Sequence, residues 1–185
     1  DSIRSLTEKH YCAIAASNLP DQTVIGGSSK DLDRLTEDAL VHFPRKKPTR
    51  LKTEGAFHTF YMVTAALHFR PVLDDAEMHA PTLRVLSNYT GTHHDLDPAT
   101  IKTRLFYQLF YPVNWICNLE TAFRDGMTTV VEFGGGLGSG TRPEDKHPNL
   151  EGIVKKALRD SDYSVHYRAA INSQTLREAA AALRS

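Results

Sequence analysis

Long apolar runs are missing from this chain: none approaches the roughly 18 to 20 residues that a membrane-crossing helix needs, so no such helix is expected. An excess of charge is missing too. Lysine plus arginine and aspartate plus glutamate both number 22, which leaves no overall field to draw in nucleic acid or an anionic membrane, so only local patches can act. Cysteine is scarce. Cys12 and Cys117 stand far apart and match no CxxC or zinc spacing, so reduced thiols in a cytoplasmic protein are expected rather than a disulfide or a metal site. Three catalytic signatures are absent as well. The glycine-dense stretch Gly134-Gly135-Gly136-Leu137-Gly138-Ser139-Gly140 has no lysine for a P-loop and no register for GxGxxG. Ser139 lies in Leu-Gly-Ser-Gly, not in the GxSxG of a nucleophile elbow. A tight backbone turn is the expected use of these glycines. Finally, the sequence opens on Asp1 with neither a methionine nor a signal region, which suggests a processed, excised or incompletely represented polypeptide.

What is present is an ordinary globular mixture, 41% hydrophobic and 24% charged over 185 residues, enough for one domain or two small subdomains. Residues 2–10 read as the end of a short helix. Tyr11–Ala16 and Gln22–Gly27, separated by the turn residues Asn18-Leu19-Pro20-Asp21, read as a hairpin. Ser28, Ser29 or Asp31 can cap a helix that buries Leu32, Leu35, Ala39 and Leu40, and Thr49–Lys52 is expected as a third strand. Strand, strand, helix, strand suits a small ferredoxin-like α/β sandwich over residues 1–53. Beyond it, Pro81–Ser87 reads as a strand ending in the turn Ser87–Gly91. A helix starts at Asp97-Pro98, another spans Val113–Asp125, and Thr128–Phe133 reads as a strand buried on both faces. Leu150–Arg159, Tyr163–Ala169 and Gln174–Leu183 complete an α/β layer as helix, strand and helix. His93-His94-Asp95 falls in a loop, and adjacent histidines do not make the i, i+4 metal pair of a helix face.

One histidine stands out. In Gly55-Ala56-Phe57-His58-Thr59 the imidazole precedes a segment, Thr59–Leu73, with Phe60, Val63, Thr64, Leu67, His68 and Pro71 at helical spacing, so those residues are expected to face a core. At a helix N-terminus, His58 is expected as a neutral imidazole able to act as a general base. Its alternative role is to close a strand-to-helix turn. Arg45-Lys46-Lys47-Pro48-Thr49-Arg50 is the only dense basic run, and its proline places it in a loop.

Five segments in order carry a resemblance: Asn18-Leu19-Pro20-Asp21-Gln22-Thr23-Val24-Ile25-Gly26-Gly27; Gly55-Ala56-Phe57-His58-Thr59; Ser87-Asn88-Tyr89-Thr90-Gly91; Tyr111-Pro112-Val113-Asn114-Trp115; and Val131-Glu132-Phe133-Gly134-Gly135-Gly136. Together they resemble the malonyl-CoA:acyl carrier protein transacylases and the acyltransferase domains of polyketide synthases, over roughly the first 140 residues. The resemblance implies an α/β fold: a ferredoxin-like small subdomain, 1–53, plus the C-terminal part of an α/β-hydrolase-like large subdomain, 54–185. It implies malonyl transfer from CoA to the phosphopantetheine thiol of an acyl carrier protein through a serine acyl-enzyme, with a CoA thioester as substrate and no separate cofactor. His58 matches the family's catalytic histidine, and the carbonyl of Asn114 is expected to fix its tautomer. Phe57 matches the aromatic of malonyl-selective members, Asn18 an asparagine near the active site, and Asn88 a structural one.

The family's Gly-His-Ser-x-Gly nucleophile motif, its N-terminal Gly-Gln-Gly and its carboxylate-binding arginine are not in this sequence. The expectation is therefore an acyltransferase whose serine lies on an N-terminal segment of the same enzyme, with the basic run and Lys155, Lys156 and Arg159 near the acidic carrier protein. A carrier-protein docking module without chemistry is the alternative. Fatty acid and polyketide pathways fit equally.

Overall fold

The structure is a computed structural model that describes residues 2–159 and 161–184; the first position of the expected small subdomain, Asp1, lies outside them. The chain forms two compact units, residues 1–118 and 119–185, so the boundary implied at 53/54 lies inside the first. Among the described residues no helix is long and apolar enough to cross a membrane.

In the first unit a short helix, α1 (Ile3–Lys9), leads into the hairpin β1 (Ala13–Leu19) and β2 (Gln22–Gly26), followed by α2 (Ser29–His42). The strands pair antiparallel, as the turn chemistry predicts. Ser28 caps α2 by accepting from the Asp31 N–H. Leu6, Cys12, Leu35 and Ala39 form the core beneath this layer, with Ile25 and Leu32 packed against it. Leu40, expected with them, is exposed. The expected third strand, Thr49–Lys52, does not form: residues 46–53 are irregular and exposed. Pro48 withholds a ladder donor and the Arg50 side chain is drawn to α2, so this stretch joins no sheet. The sandwich of strand, strand, helix, strand is thus a hairpin covered by helices.

The His58 segment starts with a 3-10 turn, Phe60–Met62, and continues as α3 (Val63–Asp75) with Pro71 inside it. The expected inner face is wrong. Ala66 and Leu73 are the buried residues, whereas Phe60, Val63 and Leu67 are exposed. Residues 81–87 make a single antiparallel bridge, Leu86 to His93, instead of a strand. The Ser87–Gly91 turn closes as expected, with the Gly91 N–H donating to the Ser87 carbonyl at 2.8 Å. α4 (Pro98–Gln108) is capped by Asp97, which accepts from the N–H groups of Ala99 and Thr100.

α5 (Trp115–Arg124) contains the division between the units. The second unit continues with β3 (Thr129–Phe133), α6 (Glu151–Arg159), β4 (His166–Ala170) and α7 (Ser173–Ala182). β3 and β4 pair in parallel, in register from Thr129 opposite His166 to Phe133 opposite Ala170. A parallel pair requires a crossover, which α6 provides. β3 is not buried on both faces: Glu132 is buried and Phe133 is exposed. The Glu132 carboxylate accepts the Asn149 and Leu150 N–H groups, both at 2.8 Å, and the Tyr167 hydroxyl, tying β3 to β4 and to the start of α6.

Candidate active site

α4 ends at Gln108, and the last carbonyls of any helix lack intrahelical donors. His58 supplies two. Its backbone N–H donates to the Leu109 carbonyl at 3.2 Å, and its ring Nδ1 lies 2.8 Å from the Gln108 carbonyl oxygen. A carbonyl only accepts, so Nδ1 carries the proton and Nε2 keeps its lone pair. Among the described residues Nε2 has no hydrogen-bond partner. The backbone of His58 is left-handed, φ 62°, a conformation a non-glycine residue adopts only when its surroundings hold it there. Here the hold is the pair of bonds to α4 on one side and Thr59 on the other. Thr59 is 1% exposed and its hydroxyl donates to the Ala56 carbonyl. The imidazole is half-buried, reachable yet fixed.

Two expectations are corrected by this geometry. His58 is not in the first turn of a helix, because the 3-10 turn begins at Phe60, so the charge facing its ring is a helix C-terminus rather than an N-terminus. Nor does Asn114 hold the ring. Its carbonyl points into α5 and accepts from the Asn118 N–H at 3.1 Å, its N–H donates to Asn88 O at 2.8 Å, and its side-chain amide donates to Tyr89 O at 2.6 Å. Gln108 is the residue that sequence reasoning missed. Its signal was available: the end of a helix three residues before Tyr111-Pro112, where carbonyls go begging for donors.

The motif segments do converge. Val113 sits beside β1, donating to Ala15 O and accepting from Ser17 N–H, both at 2.9 Å, so the Tyr111–Trp115 stretch is stitched to the hairpin on one side. Through Asn114 it is stitched to the Asn88 turn on the other, and Asn118 adds a 2.6 Å bond to the Asn88 side chain. Tyr89 stacks on Tyr107 and meets Tyr111 edge-on, with ring centroids 5.4 and 5.3 Å apart, which fixes the turn against the end of α4. Asn18 lies on β1 where the register shifts between Ser17 and Leu19, a bulge that turns a side chain out of the regular alternation. Phe57 is 48% exposed, with its ring edge over Gly55. The fifth motif segment lies in the second unit, where Leu137, just past its glycines, pairs with His147.

No family model matches the chain. Over 164 residues, 86% of this chain, it is 28% identical to the malonyl CoA-acyl carrier protein transacylase of Bacillus subtilis, covering 48% of that protein. The chain is homologous to the malonyl-CoA:acyl carrier protein transacylases. The solved transacylase of Xanthomonas oryzae shares its fold, with a TM-score of 0.80 and 24% identity over 97% of this chain and 53% of that one. A malonyl-transacylase in complex with its type II polyketide synthase acyl-carrier protein superposes with a TM-score of 0.81 at 21% identity, over 96% of this chain and 53% of that one. The chain thus spans about half the length of the transacylases it matches.

Proposed function

We propose that the chain supplies the histidine half of a malonyl-CoA:acyl carrier protein S-malonyltransferase, and that the nucleophilic serine comes from an N-terminal segment of the same enzyme. The observation that carries this reading is the imidazole of His58, oriented through Nδ1 by the Gln108 carbonyl so that Nε2 is left to move a proton. Homology supports it: the relatives are named for this transfer, and one is solved with its carrier protein.

In the first half-reaction Nε2 takes the serine proton as the oxygen attacks the malonyl thioester. The C–S bond breaks, the CoA thiolate receives that proton, and malonyl is left on serine. In the second, Nε2 takes the proton of the phosphopantetheine thiol, sulfur attacks the ester, and serine leaves with the proton. The thiol donors change while the serine ester bridges them, so no redox partner or further cofactor is needed. Each time the imidazole becomes cationic it does so against the carbonyl end of α4, where a positive charge is favoured. Phe57 narrows the space for an acyl branch and thereby favours malonyl. Asn18, on its bulge, is a substrate-side polar group. Val113 and Asn114 together act as the joint that holds β1 to the Asn88 turn. The setting is cytoplasmic, where CoA thioesters and carrier protein meet.

The test is malonyl transfer from malonyl-CoA to holo acyl carrier protein, read by the mass of the carrier protein, with a Gly-His-Ser-x-Gly-bearing N-terminal segment present. His58→Ala is expected to lower the rate about 100-fold or more. Wild-type transfer by that variant would overturn the role of His58. Binding of carrier protein with no acyl label under any condition would favour a docking module instead.

A further inference from the structure

The imidazole of His58 is held by a main-chain oxygen at the end of α4, and α3 is the helix that leaves the His58 turn. Where that oxygen stands is therefore a matter of how α4 lies along α3. A helix rises about 1.5 Å per residue, so a slide of α4 by a single residue is enough to take the Gln108 carbonyl out of line with Nδ1. α3 does not secure the arrangement by itself. Pro71, in its interior, has no N–H for the Leu67 carbonyl, so the helical ladder lacks a bond between the His58 end and the far end.

Two contacts set the register at that far end. The Lys102 ammonium donates to the Asp74 carbonyl at 2.7 Å, satisfying one of the orphan acceptors in the last turn of α3. One turn nearer His58, the Arg70 guanidinium lies 5.2 Å from the centre of the Phe106 ring. Asp74 serves both rungs, since its carboxylate oxygens accept from Arg70 Nε at 2.9 and 3.1 Å and orient the guanidinium. Arg70 and Asp74 are four apart on α3, and Lys102 and Phe106 are four apart on α4, so each pair shares one helix face and the rungs run in opposite directions along the chain. The two helices are antiparallel. A shift of one turn, about 5.4 Å, would set Lys102 opposite Arg70, cation against cation, or Phe106 opposite the Asp74 carboxylate, so the pattern specifies one register. The other ties of α4 lead elsewhere: Arg104 donates to His93 O at 2.8 Å and Tyr107 stacks on Tyr89, which bind α4 to the turn after Leu86 rather than to α3.

We propose that Lys102, together with Arg70, is a positioning residue for His58: the two rungs at the foot of the α3–α4 pair fix the register that brings the Gln108 carbonyl to Nδ1. The side chains of Arg70 and Asp74 are 47% and 52% exposed, so their ion pair adds little stability, and what it supplies is alignment. The inference rests on the proposed role of His58 as the base and adds residues that act on it from the opposite end of α3, about 20 Å away.

The experiment reads two properties of His58 by NMR in the 185-residue chain, labelled with heavy nitrogen at histidine: solvent exchange of Nδ1–H and the fraction of the Nε2–H tautomer. Its signals are assigned by their loss in His58→Ala. Lys102→Met should speed the exchange about tenfold and bring up the Nε2–H tautomer, and Lys102→Arg, which keeps a donor, should restore both. Phe106→Leu, which removes the second rung, should act in the same direction by a few-fold and serves if Lys102→Met melts early. Lys9→Met cuts a comparable bond between α1 and α2 and controls for general loosening; its His58 signals should match the parent. Exchange within twofold of the parent in both Lys102→Met and Phe106→Leu, or an equal acceleration in Lys9→Met, would overturn the proposal. With the N-terminal segment present, Lys102→Met should also lower kcat for malonyl transfer about tenfold with KM little changed. If the NMR changes appear while transfer is unaffected, the positioning of His58 stands and its role as the base of that reaction fails.

Discussion

His58 and Gln108, fifty residues apart in sequence, meet at 2.8 Å between a ring nitrogen and a main-chain oxygen. The contact is to backbone, so it is set by where α4 stops and not by the Gln108 side chain. Neutral His58 should therefore be the Nδ1–H tautomer, which long-range nitrogen–proton NMR correlations of labelled protein distinguish directly. An Nε2–H pattern would remove its fitness as a base. Gln108→Ala should leave the tautomer unchanged.

Glu132 joins three elements of the second unit by three hydrogen bonds to one buried carboxylate. Burial pushes its pKa up, but the Tyr167 hydroxyl and the Asn149 and Leu150 N–H groups outweigh this and hold it below the ordinary 4.5. A lowered folded pKa contributes stability that is present above the unfolded value and is lost as pH falls through the folded one. Glu132→Gln should cost about 2 kcal/mol in urea melts at pH 7, with the gap to the parent narrowing as the pH falls below the ordinary 4.5 and through the lowered folded value. A gap independent of pH would show that the charge is not what matters.

Gly91 has φ +70°, and a Cβ there would stand 2.3 Å from Cys117 Cβ. Gly91→Ala should destabilise the first unit by about 3 kcal/mol, combining backbone strain with overpacking. Because the collision is with the β-carbon, Cys117→Ala should not rescue it. Restored melting in that double variant would show that the clash lies elsewhere.

Asp38 on α2 accepts from Lys9 Nζ at 2.6 Å and His10 Nε2 at 2.8 Å, bonding α1 to α2. These bonds, that from Lys9 foremost, lower its pKa to about 2. Its contribution is present above the ordinary 3.8 and lost as pH falls toward 2, so an NMR titration should place its midpoint near 2. In Lys9→Met the midpoint should rise; an unchanged value would rule out the ion pair as its cause.

Much of this was legible along the chain because local rules sufficed. Asp97-Pro98 announces α4, the group Ser28, Ser29 and Asp31 announces α2, with Ser28 the one that caps it, and the turn residues Asn18–Asp21 announce the hairpin. Where a segment's state depends on a distant partner, local reading failed. Thr49–Lys52 has the residues of a strand, but Arg50 finds Asp33 and no strand lies alongside to pair with it. The apolar spacing of Phe60, Val63 and Leu67 was real, yet the face that is covered within this chain is that of Ala66 and Leu73, because burial depends on which neighbour arrives.

At the site the division is the same. The sequence by itself determined that His58 precedes an apolar segment of helical spacing, and that five motifs stand in an order shared with the transacylases, since identity and order are properties of a string. Only the tertiary structure decided which group holds the imidazole. Asn114 and Gln108 both flank a Tyr-Pro step, but Asn114 immediately precedes α5 and turns its carbonyl into that helix, while Gln108 ends α4 and turns its own outward to meet His58. Which end of a helix a residue occupies fixes the direction of its carbonyl, and that direction is settled in three dimensions.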